Sequence, residues 1–264
     1  MSDLDKNGSI KVDQRKSWAL ITFSRPEKLN ALSRYMKQEL KRVLTELRSN
    51  RDLRALILTG EGERAFCAGT DIADLAALDE TNAKEFAREG QSLGTSLESF
   101  PVPVIAAING IAAGGGTELA LGCHLRIASS KARFSLPEIK LGIIPGYGGT
   151  QRLMRAIGET RAFYMMLTGE SISAAQAEQF GLVNKVVEPA QLLSAAESLA
   201  DKIAQFSPLA IRACLEAVAQ GRELPLDEGL AVEREIFGRL FASKDALEGT
   251  RAFLEKRAPT FRGR

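Results

Sequence analysis

An α/β fold is the class this sequence predicts, and three observations predict it. Short aliphatic or aromatic runs such as "WALITF", "RALILTG" and "PVIAAI" read as strands. Between them lie longer stretches whose apolar residues recur at helical spacing, which argues for strands joined by crossover helices. After the strand-like "VNKVVEP" only helical patterns follow, so residues 207–264 are expected as a C-terminal helical region on a core of residues 1–206.

Each element has its own reason. "SIKVDQRKSWALITFSRP" reads as two short strands. The next segment carries Leu32, Met36, Leu40, Val43, Leu44 and Leu47 on one helical face, with Ser33 or Asn30 as its cap. "LRALILTGEG" is a buried strand ending in a turn, and "AFCAGTDI" a loop that opens a helix at Asp71. Residues 74–100 carry a weak, polar helical pattern. "FPVPVIAAINGIAAGGGTELALGC" reads as strand, Asn-Gly turn, glycine-rich bend and short helix. Two strands follow in "HLRIASSKARFSLPE", then a single helix in "GGTQRLMRAIGETRAFYMMLTG". "ISAAQAEQFGL" and "AQLLSAAESLADKIAQF" are helical, and the last quarter is helical with a break near "GRELPLDEG".

Composition excludes several classes. Among 264 residues, 45% are hydrophobic and 26% charged, as in a globular domain able to bury a large core. Lys plus Arg number 35 against 33 Asp plus Glu, so the net charge of +2 gives no field for nucleic acid or an anionic membrane. Cys67, Cys123 and Cys214 are an odd set without metal-ligand spacing, which reads as free thiols in a reducing compartment. The opening "MSDLDKNGS" has no apolar core, and no apolar run reaches the roughly 20 residues of a membrane span. A cytoplasmic protein is the expectation.

Elimination narrows the chemistry. His124 is the single histidine, so two-histidine metal sites are impossible, and a packed or surface histidine is its better reading. There is no GxxxxGK[ST] loop, and "GIAAGGG" lacks GxGxxG spacing. Glycines and carboxylates remain. The "GGG" run between strand and helix suits either a tight turn or the close approach of amides to an oxygen gaining charge. Glu118 and Glu138, twenty residues apart among apolar residues, suit either helix-start carboxylates or a general acid/base pair acting on water. A close pair disfavours double ionisation and keeps one proton near neutral pH.

"RPEKLNAL", "AFCAGTDI", "INGIAAGGGTELALGC" and "FSLPEIKLGIIPGYGGTQRL" together resemble, in order, the motifs of the crotonase (enoyl-CoA hydratase/isomerase) superfamily. "LTGESISAAQAEQFGLVNKVV" and "FLEKRAPTF" extend the likeness over nearly the whole chain. The resemblance implies a spiral of ββα units with a C-terminal helical region, assembled as a homotrimer or homohexamer, and an acyl-CoA thioester substrate. It implies no cofactor beyond the substrate's own CoA, no metal, no nucleic acid and no membrane. Ala68 and Gly115 match the two amides of the family's oxyanion hole, and Glu118 and Glu138 the two glutamates that position and activate water. Ala68, Gly69, Thr70 and Asp71 match the loop around the CoA thioester, and Lys28 and Leu29 the first CoA contact. Phe253 and Lys256 match positions that approach CoA on a neighbouring subunit; the alternative for this basic end, through Arg262 and Arg264, is a solvated tail. Two glutamates favour hydration of a 2-enoyl-CoA over Δ3,Δ2-isomerisation. An RNA-binding member of the superfamily is a remote alternative, because the basic first helix is interleaved with Glu39 and Glu46. A catalytically silent CoA-binding subunit is disfavoured by the presence of both glutamates.

Overall fold

The computed structural model describes residues 8–264. The polar opening, read above as lacking a signal core, lies mostly outside the described residues. Among those described, ten strands form two sheets. The larger runs in the order β1 (Ser9–Gln14), β2 (Trp18–Ser24), β3 (Ala55–Gly60), β5 (Val104–Ile108), β7 (Leu125–Ser129) and β10 (Lys185–Val187). Only the β1–β2 hairpin is antiparallel; the other neighbours are parallel. The smaller sheet holds β4 (Ala65–Cys67), β6 (Ile111–Ala113), β8 (Arg133–Ser135) and β9 (Ile172–Ser173), with β8 and β9 antiparallel.

Three consecutive turns of one motif generate both sheets. β3, β5 and β7 each enter the larger sheet, and β4, β6 and β8 each follow immediately in the smaller one. Helices close the turns: α2 (Ile72–Ala76) with α3 (Ala83–Glu98), then α4 (Gly115–Gly122), then α5 (Gly149–Ile157). The chain is therefore the spiral of ββα units that the motifs imply. β3 is buried along its whole length because it is covered on both faces. Leu56 and Leu58 face the main core beneath α1 (Arg34–Arg48), whereas Ala55 and Ile57 pack with Ile105, Ile127 and α8 (Leu192–Ala204). Trp18 joins that second cluster and donates its indole N–H to Asp201 at 2.8 Å.

Local chemistry explains the boundaries. The Ser33 side chain accepts from the Met36 amide and caps α1. Asn30, the other candidate, instead accepts from the Arg25 amide and donates to the Glu61 and Ala65 carbonyls. The region expected as one helix before "LTG" is two, α5 and α6 (Glu159–Thr168), broken at Gly158 with φ 83°. "AFC" is a strand rather than loop; three residues are too few to show a period. α7 (Ala174–Gln179) starts on a Ser173–Gln176 capping box. Beyond Ser207 come α9 (Pro208–Gly221), α10 (Leu226–Leu240) and α11 (Lys244–Leu254). The basic end keeps its charged side chains exposed but is tied back through its backbone: the buried Asp245 carboxylate accepts from the Ser207 hydroxyl at 2.7 Å and from the Arg262 amide at 2.8 Å.

The first turn of α4 lies on the end of β4. A methyl group added at Gly116 would come within 2.0 Å of the Cys67 carbonyl oxygen. Gly116→Ala should therefore cost about 1–3 kcal/mol or more, because neither backbone can retreat from a packed core. Gly238, on α10 with nothing within 4 Å of an added methyl, is the control. Gly238→Ala should be neutral or stabilising by about 0.5–1 kcal/mol. Denaturant unfolding of both variants checks the contrast.

Candidate active site

Two backbone loops meet at this contact. Gly114, at φ 50° and ψ −126°, turns the chain from β6 into α4 through a conformation barred to side-chain-bearing residues. Opposite it, the Ala68–Asp71 loop leaves β4, and a methyl group at Gly69 would stand 3.2 Å from the Gly115 nitrogen. Of the amides here, that of Ala68 is spent: it donates to the Leu29 carbonyl at 3.0 Å. An amide has one proton, so the Ala68 N–H is not the donor that the motif match suggested. Among the described residues, nothing accepts from the N–H of Thr70 or of Gly115. Those two free amides border the same space, with the Thr70 hydroxyl 3.5 Å from where a Gly115 methyl would lie.

Glu118 stands in the first turn of α4, 2% exposed. Its Oε1 accepts from the amides of Tyr147 at 2.8 Å and Gly149 at 2.6 Å, so Oε2 is left for whatever enters the cavity. Burial pushes its carboxyl up to about 7; the Gly149 amide opposes that rise and the neighbouring Glu138 charge adds to it. Glu138 is the second residue of the 3₁₀ turn Pro137–Leu141, and burial raises its carboxyl too. Its buried Oε2 has no hydrogen-bond partner among the described residues, and its Oε1 lies 2.7 Å from where a Gly114 methyl would be. Glu138 thus faces the glycine turn and Glu118 the Tyr147 and Gly149 amides, and both resist ionisation.

A cavity of about 910 Å³ joins these groups. Ala68, Gly69, Thr70, Gly115, Glu118 and Glu138 all line it, with an apolar side from α2 and α3 that includes Leu75 and Phe86. Other sequence candidates stand away from it. Lys28 is exposed, and Leu29, at φ 52°, serves to hold the Ala68 amide. Asp71 caps α2 through the Ala73 amide and pairs with Arg25 at 2.6 Å, which holds its carboxyl below the usual range. Phe253, 83% exposed, and Lys256 lie at the end of α11, outside the cavity of their own chain. His124 is packed: Nδ1 accepts from the Val104 amide at 3.0 Å, leaving Nε2 to donate to the Glu98 carbonyl. Sequence reasoning missed the Thr70 amide and the role of the Tyr147 and Gly149 amides. No side-chain pattern reports which backbone N–H groups are already paired. Among the described residues, no cluster of three His, Cys, Asp or Glu is placed to hold a metal, and no helix is long and apolar enough to cross a membrane.

The raised Glu118 value has a measurable consequence. The folded protein binds this proton more tightly than the unfolded chain, so the associated stability is present below pH 4.5 and is lost as pH rises through about 7. Glu118→Gln does not titrate. Its melting temperature should therefore gain on the wild type between pH 4.5 and 7.5, and a constant difference across that range would mean that Glu118 ionises normally.

Residues 13–264 match the sequence profile of the family described as enoyl-CoA hydratase/isomerase. The short-chain-enoyl-CoA hydratase of Clostridium acetobutylicum is 41% identical over 254 residues, 96% of this chain and 94% of that one. The (E)-benzylidenesuccinyl-CoA hydratase of Thauera aromatica is 43% identical over 245 residues, 93% of this chain and 95% of its own. The crystal structure of enoyl-CoA hydratase from Bacillus anthracis superimposes with a TM-score of 0.93 at 42% identity, covering 97% of this chain and 99% of that one. With the ββα spiral and two glutamates in one cavity already in view, a likeness running the length of the sequence leaves no part of the core unaccounted for, and the chain belongs to the enoyl-CoA hydratase/isomerase family.

Proposed function

We propose that this protein is an enoyl-CoA hydratase, adding water reversibly across the 2,3 double bond of a 2-enoyl-CoA to give a 3-hydroxyacyl-CoA. The carrying observation is the pairing of buried Glu118 with half-buried Glu138, both resistant to ionisation, beside two unspent amides in one cavity. The thioester oxygen rests on the N–H groups of Thr70 and Gly115, which stabilise it as it gains negative charge. Water lies between the glutamates. One carboxylate removes its proton as oxygen bonds to C3; the other, protonated, delivers hydrogen to C2. One proton is taken and one given, so the pair returns to its starting charge. Hydratase names among close relatives support this reading.

The remaining parts of the proposal are separable. No cofactor is required beyond the CoA of the substrate. The protein works in the cytoplasm as a homotrimer or homohexamer, in keeping with the exposed apolar side chains Phe237, Phe241, Phe253 and Leu254 on the last helices. In that assembly Phe253 and Lys256 approach CoA bound to the next subunit. RNA binding is disfavoured, since Arg42 on α1 is engaged by both Glu39 and Glu46.

Three measurements test this. Purified protein should consume the conjugated absorbance of crotonyl-CoA, with EDTA making no difference; a folded protein that binds CoA ligands but converts no 2-enoyl-CoA would sink the reading. Glu118→Gln and Glu138→Gln should each lower kcat about 10²–10⁴-fold. The double variant should fall well short of the product of the two losses, because both act on one water. Isomerisation of a 3-enoyl-CoA without hydration would instead mark an isomerase. Light scattering should give a trimer or hexamer, and a stable monomer at micromolar concentration would refute both the assembly and the cross-subunit role of Phe253 and Lys256.

A further inference from the structure

Lys37 is an anomaly on α1. Arg34 and Lys41 on the same helix are exposed, but Lys37 is 5% exposed, and a buried ammonium is costly unless something compensates it. Its Nζ donates to the Tyr147 hydroxyl at 3.2 Å and sits 4.0 Å from the centre of the Phe86 ring, a cation–π contact. Asp74 and Glu89 favour the charge from farther away, yet burial dominates and lowers the pKa.

Tyr147 is held at both ends. Its amide is bonded to Glu118, and its hydroxyl to Lys37. Between these anchors the ring is wedged between two glycines. A methyl group at Gly90 on α3 would come within 1.9 Å of one ring edge, and one at Gly115 within 3.2 Å of the other. Gly90 is thus a space left for this ring, and Phe86, one helical turn earlier, packs on it with centroids 5.7 Å apart. The ring stands beside Gly115, whose amide is free, and packs on Phe86, both lining the same cavity.

We propose that Tyr147, pinned by Lys37, closes the acyl end of the cavity and restricts this protein to short-chain 2-enoyl-CoA substrates. The proposal rests on the hydratase reading, which places the thioester oxygen at Gly115. An acyl chain running past C3 toward Phe86 then meets the Tyr147 ring. Accommodating a long chain requires that ring to swing out, and the swing breaks the Lys37 contact and pulls on the amide that orients Glu118. Lys37 is a positioning residue in this scheme; it acts on substrate only through Tyr147.

The test compares kcat/KM for four-carbon and ten-carbon 2-enoyl-CoA, together with calorimetric binding of butyryl-CoA and decanoyl-CoA. The ratio of the two lengths cancels any general loss of activity from disturbing Glu118. Wild type should favour the short chain at least tenfold. Tyr147→Ala should shift the ratio toward the long chain by about tenfold or more, since each methylene newly accommodated contributes a few-fold. Lys37→Met should shift it about threefold or more in the same direction, and Lys37→Arg, which keeps a cation, should stay near wild type. A purely structural lysine would lower melting temperature and leave the ratio alone. The proposal is overturned if wild type binds and turns over both lengths alike, or if Tyr147→Ala and Lys37→Met leave the ratio unmoved. If nothing is hydrated but butyryl-CoA still outbinds decanoyl-CoA and the variants erase that preference, the hydratase reading falls and the wall stands.

Discussion

No side chain separates the start of α4 from the end of β4, and the site takes its geometry from that approach. Gly116 lies on the Cys67 carbonyl, Gly114 turns the chain into the helix, and the Gly115 amide is thereby brought beside Thr70. Any side chain at Gly116 would push the two loops apart, and with them the paired amides. Close backbone packing of this kind costs conformational entropy in the unfolded chain, which the buried strands around it must offset.

Glu118 and Glu138 put a second strain on the same region. Two carboxylates held away from water lower stability as they ionise, yet that reluctance to ionise is what lets one of them keep a proton near neutral pH. The fold limits the damage by giving Glu118 two amide donors on a single oxygen. Glu138 receives less: its Oε2 stays without a partner among the described residues, so it is the more loosely held of the pair.

How much was legible depended on whether the signal was local. β2, β3 and β5 announce themselves because each is an apolar run long enough to show strand character. β4, β6 and β9, of two or three residues each, exist only because the spiral stacks them side by side, and runs that short show no period of their own. The glutamates stood out as charges in apolar surroundings. The amide beside Gly115 did not, since choosing Thr70 over Ala68 depends on the Leu29 carbonyl, far away in sequence and reached only through a left-handed turn. Lys37 was hidden for the opposite reason: on an amphipathic helix a lysine reads as part of the wet face.

Asp245 joins three distant stretches of chain through one carboxylate: the start of α9 at Ser207, the start of α11, and the amides of Arg262 and Gly263. A hub of this sort makes its spokes cooperative. Opening any one of them exposes the others, because the carboxylate cannot re-form its set with a member missing. The stretches tied by this carboxylate should therefore open together in native-state hydrogen exchange, the Arg262 and Gly263 amides losing protection in the same event as the first turn of α9 instead of fraying ahead of it.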